Sequence, residues 1–320
     1  MSLLILIIGF FFLIKGADIF VEGAASIARK FNVPAMVIGL TIVAMGTSAP
    51  EAAVSITSSL AGQNDMSVAN VVGSNFFNIL MVLGVSAIIA KLPVQKETIK
   101  KETPFLIIVS AVLLIFGLDL KMNRIEGLIL LSVFVYFLIS TVKSAKNSVK
   151  EESKYNNEIA VTADTEVSEI EGVSMPKTIL ICIVGIAGII IGGDMVVNSA
   201  TSIATAFGMS ANLVGLTIVA VGTSLPEFVT SVVAIKKGET EIAIGNVIGS
   251  NLFNILLVLG LAITINPITI STLALIDIIF MVMITILLYL FMKKDYSLVK
   301  KQGFILIAIY ISYMAYTIIR

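Results

Sequence analysis

Two glutamates occupy the same place in two copies of one short motif, inside stretches that are otherwise apolar. Glu51 ends the segment GTSAPE, and Glu227 ends the segment GTSLPE 176 residues later. A carboxylate near the centre of a membrane-spanning helix costs at least about 2.5 to 3.5 kcal/mol, so such a residue is expected to serve a function. We therefore expect these two side chains to bind a cation.

Further oxygen donors accompany each glutamate at helical spacing. Thr47 lies one turn before Glu51 on the same helical face, and Ser48 is adjacent. The next apolar stretch carries a polar stripe with a spacing of four, namely Asn70, Ser74 and Asn78. The second copy repeats the whole set as Thr223, Ser224, Asn246, Ser250 and Asn254. Such oxygens suit Ca²⁺, which accepts about six to eight of them, and also Na⁺; alternatively, they bond neighbouring helices.

The motif also predicts a break in each helix. Pro50 has no N–H, so the helical hydrogen bond to the carbonyl of Gly46 cannot form, and Pro226 and Gly222 repeat this arrangement. Inside lipid a freed carbonyl must be satisfied by protein, water or an ion. We expect loose carbonyls in two places, near Ala44 to Thr47 and near Ala220 to Thr223. A simple kink is the alternative interpretation.

The repeat extends over two consecutive apolar stretches of each half without a gap. GLTIVAMGTSAPE returns as GLTIVAVGTSLPE with eleven of thirteen positions identical. NVVGSNFFNILMVLG returns as NVIGSNLFNILLVLG with twelve of fifteen identical. Because the identical positions include Gly, Pro, Glu and Asn, shared hydrophobicity does not explain the match. The two halves are copies of one unit.

The composition is that of a helical membrane protein. Hydrophobic residues make up 58% of the chain, charged residues make up 13%, and the mean hydropathy is +1.05. The apolar stretches are long enough to span a bilayer as helices, and the short alternating segments of a barrel are missing. Histidine is absent and Cys182 is the single cysteine. Neither an intrachain disulfide nor a His or Cys metal site is therefore expected.

The apolar stretches predict an all-α membrane protein with ten transmembrane helices. Their approximate bounds are 2–27, 34–60, 67–90, 104–120, 125–142, 177–200, 210–235, 242–265, 270–291 and 303–319. Five spans in each half make the second half enter the membrane from the opposite side, which gives two inverted-topology five-helix repeats. Such a pair is typical of secondary transporters that work by alternating access. We predict repeats at 1–143 and 176–320, joined by a linker at 144–175.

Basic residues orient the predicted spans. Loops after odd-numbered spans hold seventeen lysines and arginines, whereas the other loops and the termini hold three. Since positive charge marks the cytoplasmic side, we predict a multi-pass protein of the cell membrane with both termini outside. The linker 144–175 has seven acidic residues, three lysines and no apolar period, so we predict a disordered cytoplasmic segment.

GTSAPE and GTSLPE, together with GSNFFN and GSNLFN, strongly resemble the two alpha-repeats of the sodium/calcium exchangers, in the cation/calcium antiporter superfamily. The resemblance covers about 16–90 and 192–266. It implies an antiporter that drives Ca²⁺ out with inward Na⁺ at four adjacent mid-membrane ion positions. It also implies that Glu51 and Glu227 bind both ions, and that the carbonyls of Thr47 and Thr223 complete the Ca²⁺ site.

The same resemblance implies two Na⁺ positions that flank the Ca²⁺ position. The residues around them are Ala44, Thr47, Ser48 and Ser74 in one half, and Ala220, Thr223, Ser224 and Ser250 in the other. Asn78 and Asn254 are implied at the middle position. Potassium-dependent relatives carry Asp where this chain has Asn254, so we expect no potassium dependence here.

Electrostatics favours exchange over leak. Two ionised glutamates leave a charge of about −2, which is costly to bury while the site changes sides unless Ca²⁺ or several Na⁺ neutralise it. The alternative coupling is Ca²⁺/H⁺ antiport, although such relatives usually carry Gly-Asn rather than Gly-Thr-Ser before the glutamate. A gated channel predicts flux without a counter-ion. An enzyme is disfavoured, since His, a nucleophile–base pair and a nucleotide loop are all missing. We expect no cofactor, no nucleic-acid partner and no obligatory protein partner, only the two ions and the lipid bilayer.

Overall fold

The computed structural model describes residues 2–160, 175–208 and 220–319. The first half of the described chain consists of six helices that follow one another through short loops. They are α1 (Ser2–Lys30), α2 (Ala35–Thr47), α3 (Ala49–Leu60), α4 (Asn64–Phe76 continued by Phe77–Val82 and Leu83–Ile89), α5 (Thr98–Glu102 continued by Thr103–Gly117) and α6 (Arg124–Ala160). Wide π-helical turns lie within α2 at Gly39–Val43, within α4 at Phe77–Val82, and at the start of α5.

The second half repeats this order. Its helices are α7 (Met175–Ala206), α8 (Ala220–Gly222), α9 (Leu225–Lys236), α10 (Thr240–Phe253 continued by Asn254–Leu259 and Gly260–Ile265), α11 (Thr272–Asp295) and α12 (Lys300–Ile319). The middle piece of α10 is again a π-helical turn, at the position that matches the π-turn of α4. The predicted span 210–235 falls partly on residues 209–219, which lie outside the described chain.

Four two-residue strands tie the halves together at the helix ends. They are β1 (Leu92–Pro93), β2 (Lys121–Met122), β3 (Ile268–Thr269) and β4 (Ser297–Leu298). β1 pairs antiparallel with β4, where Leu92 faces Leu298, and β2 pairs antiparallel with β3, where Met122 faces Ile268. A shift of 176 residues converts one pairing into the other with the same register. The two ladders are thus related by exchange of the halves.

Helix packing follows the same exchange. The first and third pieces of the structure's central helices, α4 and α10, pack against α12 and α6 respectively through their last turns, and α1 packs along α7. Glycine makes the α1–α7 contact close, because a methyl group at Gly16 would lie 2.6 Å from the backbone nitrogen of Ile189. The equivalent group at Gly192 would meet the backbone of Leu13, the repeat mate of Ile189. Small residues commonly permit such approach in membrane helices.

The helices have the length and composition of membrane spans. In the described residues, seven helices are long and apolar enough to cross a bilayer, or eight if the bent pair α2 and α3 forms one span. The chain is thus an all-α, multi-pass membrane protein. The burial pattern places α4 and α10 at the centre, whereas α1, α6 and α12 expose most of their surface, as expected for helices that face lipid.

One predicted boundary differs from the structure. The linker was expected to begin at 144, yet α6 continues as a helix to Ala160. Its first part is therefore helical, because the polar sequence there contains Lys, Glu, Ser and Asn but neither proline nor glycine to stop a helix that is already nucleated. Residues 161–174 of the predicted linker lie outside the described chain.

Candidate ion-binding site

Both proline motifs break a helix as predicted. Ser48 leaves the helical conformation at φ −81° and ψ 7°, and the axis bends by 49° between α2 and α3. Ser224 does the same at φ −92° and ψ 5° before α9. Each proline then lies in the first turn of the new helix, where its missing N–H costs nothing.

The breaks place both glutamates at helix N-termini. Glu51 lies in the first turn of α3, and Glu227 lies in the first turn of α9. The free N–H groups and the dipole of a helix favour negative charge at this end. Both side chains are fully buried, with no exposed surface. The fold therefore provides partial compensation for carboxylates in an apolar interior.

Hydroxyl groups cross between the halves to reach the glutamates. Ser48, in the first half, donates to Oε1 of Glu227 at 3.1 Å. Ser224, in the second half, donates to Oε1 of Glu51 at the same distance. Ser74 of α4 also donates to Oε1 of Glu51, at 3.2 Å, and lies 2.8 Å from the hydroxyl of Ser224. The two motifs therefore form one polar centre rather than two separate ones.

Four buried oxygens in this centre have no hydrogen-bond partner in the described structure. They are Oε2 of Glu51, Oε2 of Glu227, Oδ1 of Asn78 and Oδ1 of Asn254. Each atom belongs to a fully buried side chain. A buried acceptor without a donor costs free energy, and all four are hard oxygens of the kind that Ca²⁺ and Na⁺ bind. The unsatisfied atoms are therefore the atoms that a cation substrate would satisfy.

Four asparagine side chains hold the two predicted amides in place. Asn78 donates to Oδ1 of Asn251 at 3.2 Å, and Asn254 donates to Oδ1 of Asn75 at 3.1 Å. Asn254 also donates to the hydroxyl of Ser74 at 3.2 Å. Because the amide nitrogens of Asn78 and Asn254 are used in these bonds, their carbonyl oxygens remain for an ion.

Asn75 and Asn251 are site residues that the sequence analysis missed. They lie off the stripe with a spacing of four, so helical periodicity alone did not select them. They were nevertheless visible as the repeated asparagine of GSNFFN and GSNLFN. Their partners come from the opposite half, which only the tertiary structure reveals.

The backbone of the central helices widens where the amides lie. Asn78 is in the π-helical turn Phe77–Val82, and Asn254 begins the equivalent turn Asn254–Leu259. A π-helical turn inserts one residue into a helical turn and redirects the side chains near it, and such turns are frequent at functional sites. Here the change occurs in both halves at the same amide.

The outer stripe residues support the glutamates from the backbone side. Asn70 donates to the carbonyl of Glu51 at 3.2 Å and to Ser55 at 2.9 Å. Asn246 repeats this with the carbonyl of Glu227 at 3.4 Å and Ser231 at 3.0 Å. The two serines were not predicted as site residues, although they also match across the repeat. These bonds fix the start of α3 to α4 and the start of α9 to α10.

The remaining predicted residues differ in their contacts. Thr47 is buried, and its hydroxyl lies 3.0 Å from Oδ1 of Asn246 and 3.4 Å from the hydroxyl of Ser250. The carbonyl of Ala44 accepts the amide of Ser48 at 3.0 Å, so it is not one of the loose carbonyls expected from the sequence. The break begins one turn later, where Pro50 leaves the carbonyl of Gly46 without a helical donor.

The second motif is described in part. The hydroxyl of Thr223 is buried without a partner in the described structure. Ala220 begins the short helix α8, and the residues that precede it lie outside the described chain. Ser250 is fully buried. The structure therefore brings Thr223, Ser224, Glu227 and Ser250 into the same region as their first-half mates.

Positive charge does not compensate the two carboxylates. Within the described chain, the ion pairs of lysine and arginine involve Asp18, Glu22 and Glu239 and none involves Glu51 or Glu227. A pair of buried carboxylates without a basic partner is unfavourable unless a cation is supplied. This chemistry fits a transported cation.

Comparison with known proteins agrees with this chemistry. The sequence profile of the sodium/calcium exchanger protein family matches residues 1–143 and 177–319, so each matched segment contains one copy of the repeated motif. The chain belongs to the sodium/calcium exchanger family. Members of this family are transporters rather than enzymes, and the ions named are their substrates.

Individual relatives of the exchanger span nearly the whole chain. The sodium/calcium exchanger MaX1 of Methanosarcina acetivorans is 30% identical and covers 98% of this chain and 97% of its own. Inner membrane protein YrbG of Escherichia coli is 37% identical over 84% of this chain and 82% of its own. A solved structure of the sodium-calcium exchanger NCX_Mj superposes with a TM-score of 0.84 at 32% identity, covering 98% and 97% of the two chains. The chain is therefore a multi-pass cation antiporter by family and by fold.

Proposed function

We propose that this exchanger moves Ca²⁺ against Na⁺ by alternating access at the centre formed by Glu51 and Glu227. The observation that carries the proposal is the cross-bonded pair of buried carboxylates. Each is held through Oε1 by a serine of the opposite half, and each keeps Oε2 without a partner. MaX1 and NCX_Mj, both named as exchangers of these two ions, support the choice of substrates.

The charge of the centre supports coupled exchange. Two ionised carboxylates give about −2, which one Ca²⁺ or two Na⁺ neutralise, whereas an empty centre is expensive to carry through the membrane. The proposed ligands are the twelve residues that the sequence selected. They are Glu51, Glu227, Thr47, Thr223, Ser48, Ser224, Ser74, Ser250, Asn78, Asn254, Ala44 and Ala220.

Inverted repeats support alternating access. Loops on one membrane side must hold both members of a strand pair, and the two pairs β1–β4 and β2–β3 exchange under the 176-residue shift. This is the relation expected of two five-helix repeats with opposite topology, ten spans in all, with the two pairs on opposite sides. Such a pair of like units has two nearly equivalent arrangements, one open to each side.

The direct test is ion flux in sealed vesicles that contain the purified full chain. We expect Ca²⁺ uptake that depends on an opposed Na⁺ gradient, and loss of that uptake in Glu51→Gln and in Glu227→Gln. Asp194→Asn is the matched control, because Asp194 is an exposed acidic residue of α7. Uptake driven by a proton gradient without Na⁺ contradicts the coupling, and current without a counter-ion contradicts antiport.

A further inference from the structure

A groove with charged walls lies between the start of α5 and the later part of α6, away from the ion centre. Its volume is about 430 Å³. One end is lined by Lys101, Glu102 and Lys143. The other end is aromatic, and the rings of Phe105 and Phe137 stack there with centroids 5.7 Å apart and planes inclined by 12°. Since Lys101 and Phe105 are one helical turn apart, the change from charged to apolar takes place over about 6 Å.

The three charged groups of this groove have no ion-pair partners in the described structure. Lys101 and Lys143 are exposed. Glu102 is half-buried, and its Oε2 is a buried acceptor without a hydrogen-bond donor. None of the three belongs to an ion pair of the described chain. A lysine at a helix end needs no ligand because it extends to water, but a buried and unbonded carboxylate oxygen is unfavourable without a donor.

The second half supplies an internal comparison. A groove of about 580 Å³ lies between α11 and α12, the helices that match α5 and α6. Ser312, Tyr313 and Tyr316 line it, and they are the repeat mates of groove residues 136, 137 and 140. Its lining is uncharged, and Ile278 and Ile319 stand where the first half has Glu102 and Lys143. The fold therefore produces the groove, while the charges are particular to one half.

The order of the lining groups follows that of a phospholipid. The fourth predicted span begins at 104 and the fifth ends at 142, so the charged end lies at the membrane boundary and the aromatic end lies below it. Basic pockets between membrane helices on the cytoplasmic side bind lipid headgroups. Two lysines match one phosphate. Glu102 requires in addition a donor with positive charge.

We propose that this groove binds one phospholipid whose headgroup carries both a phosphate and a primary ammonium group, as in phosphatidylethanolamine. The phosphate lies between Lys101 and Lys143, the ammonium donates to Oε2 of Glu102, and the acyl chains follow Phe105 and Phe137. An anionic glycerol headgroup satisfies the lysines but brings no cation to Glu102. A trimethylammonium headgroup brings the charge but has no N–H to donate.

The test uses the intact protein in detergent and counts bound lipid by native mass spectrometry. The lipids are phosphatidylethanolamine, its mono-, di- and trimethylated forms, and phosphatidylglycerol, all with the same acyl chains. We expect binding to weaken about tenfold from the primary ammonium to the trimethylated form, which is the size of one charge-assisted hydrogen bond. This series needs no mutation, so a folding defect cannot mimic its result.

Variants then assign the groups. Glu102→Gln should remove most of the discrimination between the methylated forms, and Glu102→Ile, which copies the second half, should remove all of it. Lys101→Ala with Lys143→Ala should weaken every phospholipid equally. Lys100→Ala and Lys146→Ala are the controls, since these lysines are nearby but do not line the groove. Stronger binding of phosphatidylglycerol, or discrimination that survives in Glu102→Ile, overturns the proposal. Ion flux is not the readout, so this result is independent of the proposed exchange.

Discussion

At the scale of single residues, the ion centre depends on hydroxyl groups that reach across the repeat. Ser48 is three residues from Glu51 in the chain, yet it donates to Glu227, and Ser224 likewise donates to Glu51. Each serine therefore links the position of its own helix break to the carboxylate of the other half. Loss of either bond should disturb both halves.

Removal of one crossing hydroxyl should weaken ion binding without abolishing transport. We expect Ser48→Ala and Ser224→Ala each to raise the half-saturating Ca²⁺ concentration about tenfold, because a hydrogen bond to a charged group contributes about 1.5 kcal/mol or more. The measurement is the Ca²⁺ dependence of uptake into vesicles. Ser202→Ala is the control, since Ser202 is exposed and bonds a carbonyl of its own helix. An effect at only one of the two serines would contradict the equivalence of the halves.

A third acidic group should change which ions satisfy the centre. Asn254→Asp replaces a neutral amide beside Ser74 and Asn75, so the ionised centre carries about −3 and one Ca²⁺ leaves about −1 uncompensated. We expect Ca²⁺ uptake by this variant to be slow and to be stimulated by K⁺, whereas the parent protein shows no stimulation. Flux assays with K⁺, choline or no monovalent addition distinguish the cases. Equal K⁺ responses in both proteins would rule out this role for position 254.

At the scale of elements, ion pairs join α1 to the turn between α9 and α10. Lys237 lies 2.9 Å from Asp18 and 3.4 Å from Glu22, and Arg29 lies 3.1 Å from Glu239. The hydrogen bond with Asp18 raises the pKa of Lys237, so the lysine keeps its charge until the pH passes well into the alkaline range. The contact is therefore intact at neutral pH.

The other half has no equivalent of these ion pairs. Ala61 stands at the position that matches Lys237, Gln63 matches Glu239, and Thr205 matches Arg29. Asp18 alone keeps an acidic mate, Asp194. Because the repeats otherwise match closely, this contact distinguishes one membrane side from the other. It favours the state in which α1 remains docked against α9.

Loss of this contact should reduce the difference between the two sides. We expect Lys237→Ala to shift the ratio of Ca²⁺ half-saturation measured from outside and inside by about twofold to fivefold, since exposed ion pairs contribute about 0.2 to 1 kcal/mol each. High salt should produce part of the same shift in the parent protein by screening. Lys236→Ala is the neighbouring control. An unchanged ratio in Lys237→Ala would show that the pairs do not bias the two states.

At the scale of the whole molecule, two inverted repeats require an even number of spans in all. Both chain ends must then lie on one membrane side, and the α6–α7 connection must lie on the other. The strand pairs β1–β4 and β2–β3 follow the same rule, because the members of each pair come from loops on one predicted side.

Cysteine labelling tests this arrangement directly. In a background of Cys182→Ala, we expect Ser2→Cys and Ile319→Cys to react with an impermeant maleimide from outside intact cells. Lys146→Cys should react only after the membrane is opened. Cys182 is the single native cysteine and is buried, so its removal should leave a clean background. Reaction of the two ends from opposite sides would contradict ten spans.

Much of the site follows from the sequence because the repeat marks it twice. The prolines, glutamates and hydroxyls match over 176 residues, and the local physics of proline predicts both helix breaks. Asn75, Asn251, Ser55 and Ser231 also match, but a match alone does not tell a packing residue from a site residue. The helical end of α6 was missed, since polar composition is compatible with either a helix or a disordered chain.

The sequence by itself determined that two buried glutamates, each next to a broken helix, belong to two copies of one unit. Only the tertiary structure decided which half satisfies which carboxylate. Ser48 serves Glu227 and Ser224 serves Glu51 because the helices of the two halves cross at the centre, and no local pattern encodes contacts between residues about 170 to 180 positions apart. The same crossing leaves four oxygens unbonded. Local chemistry selected the ligands, and the packing of the halves assembled the site.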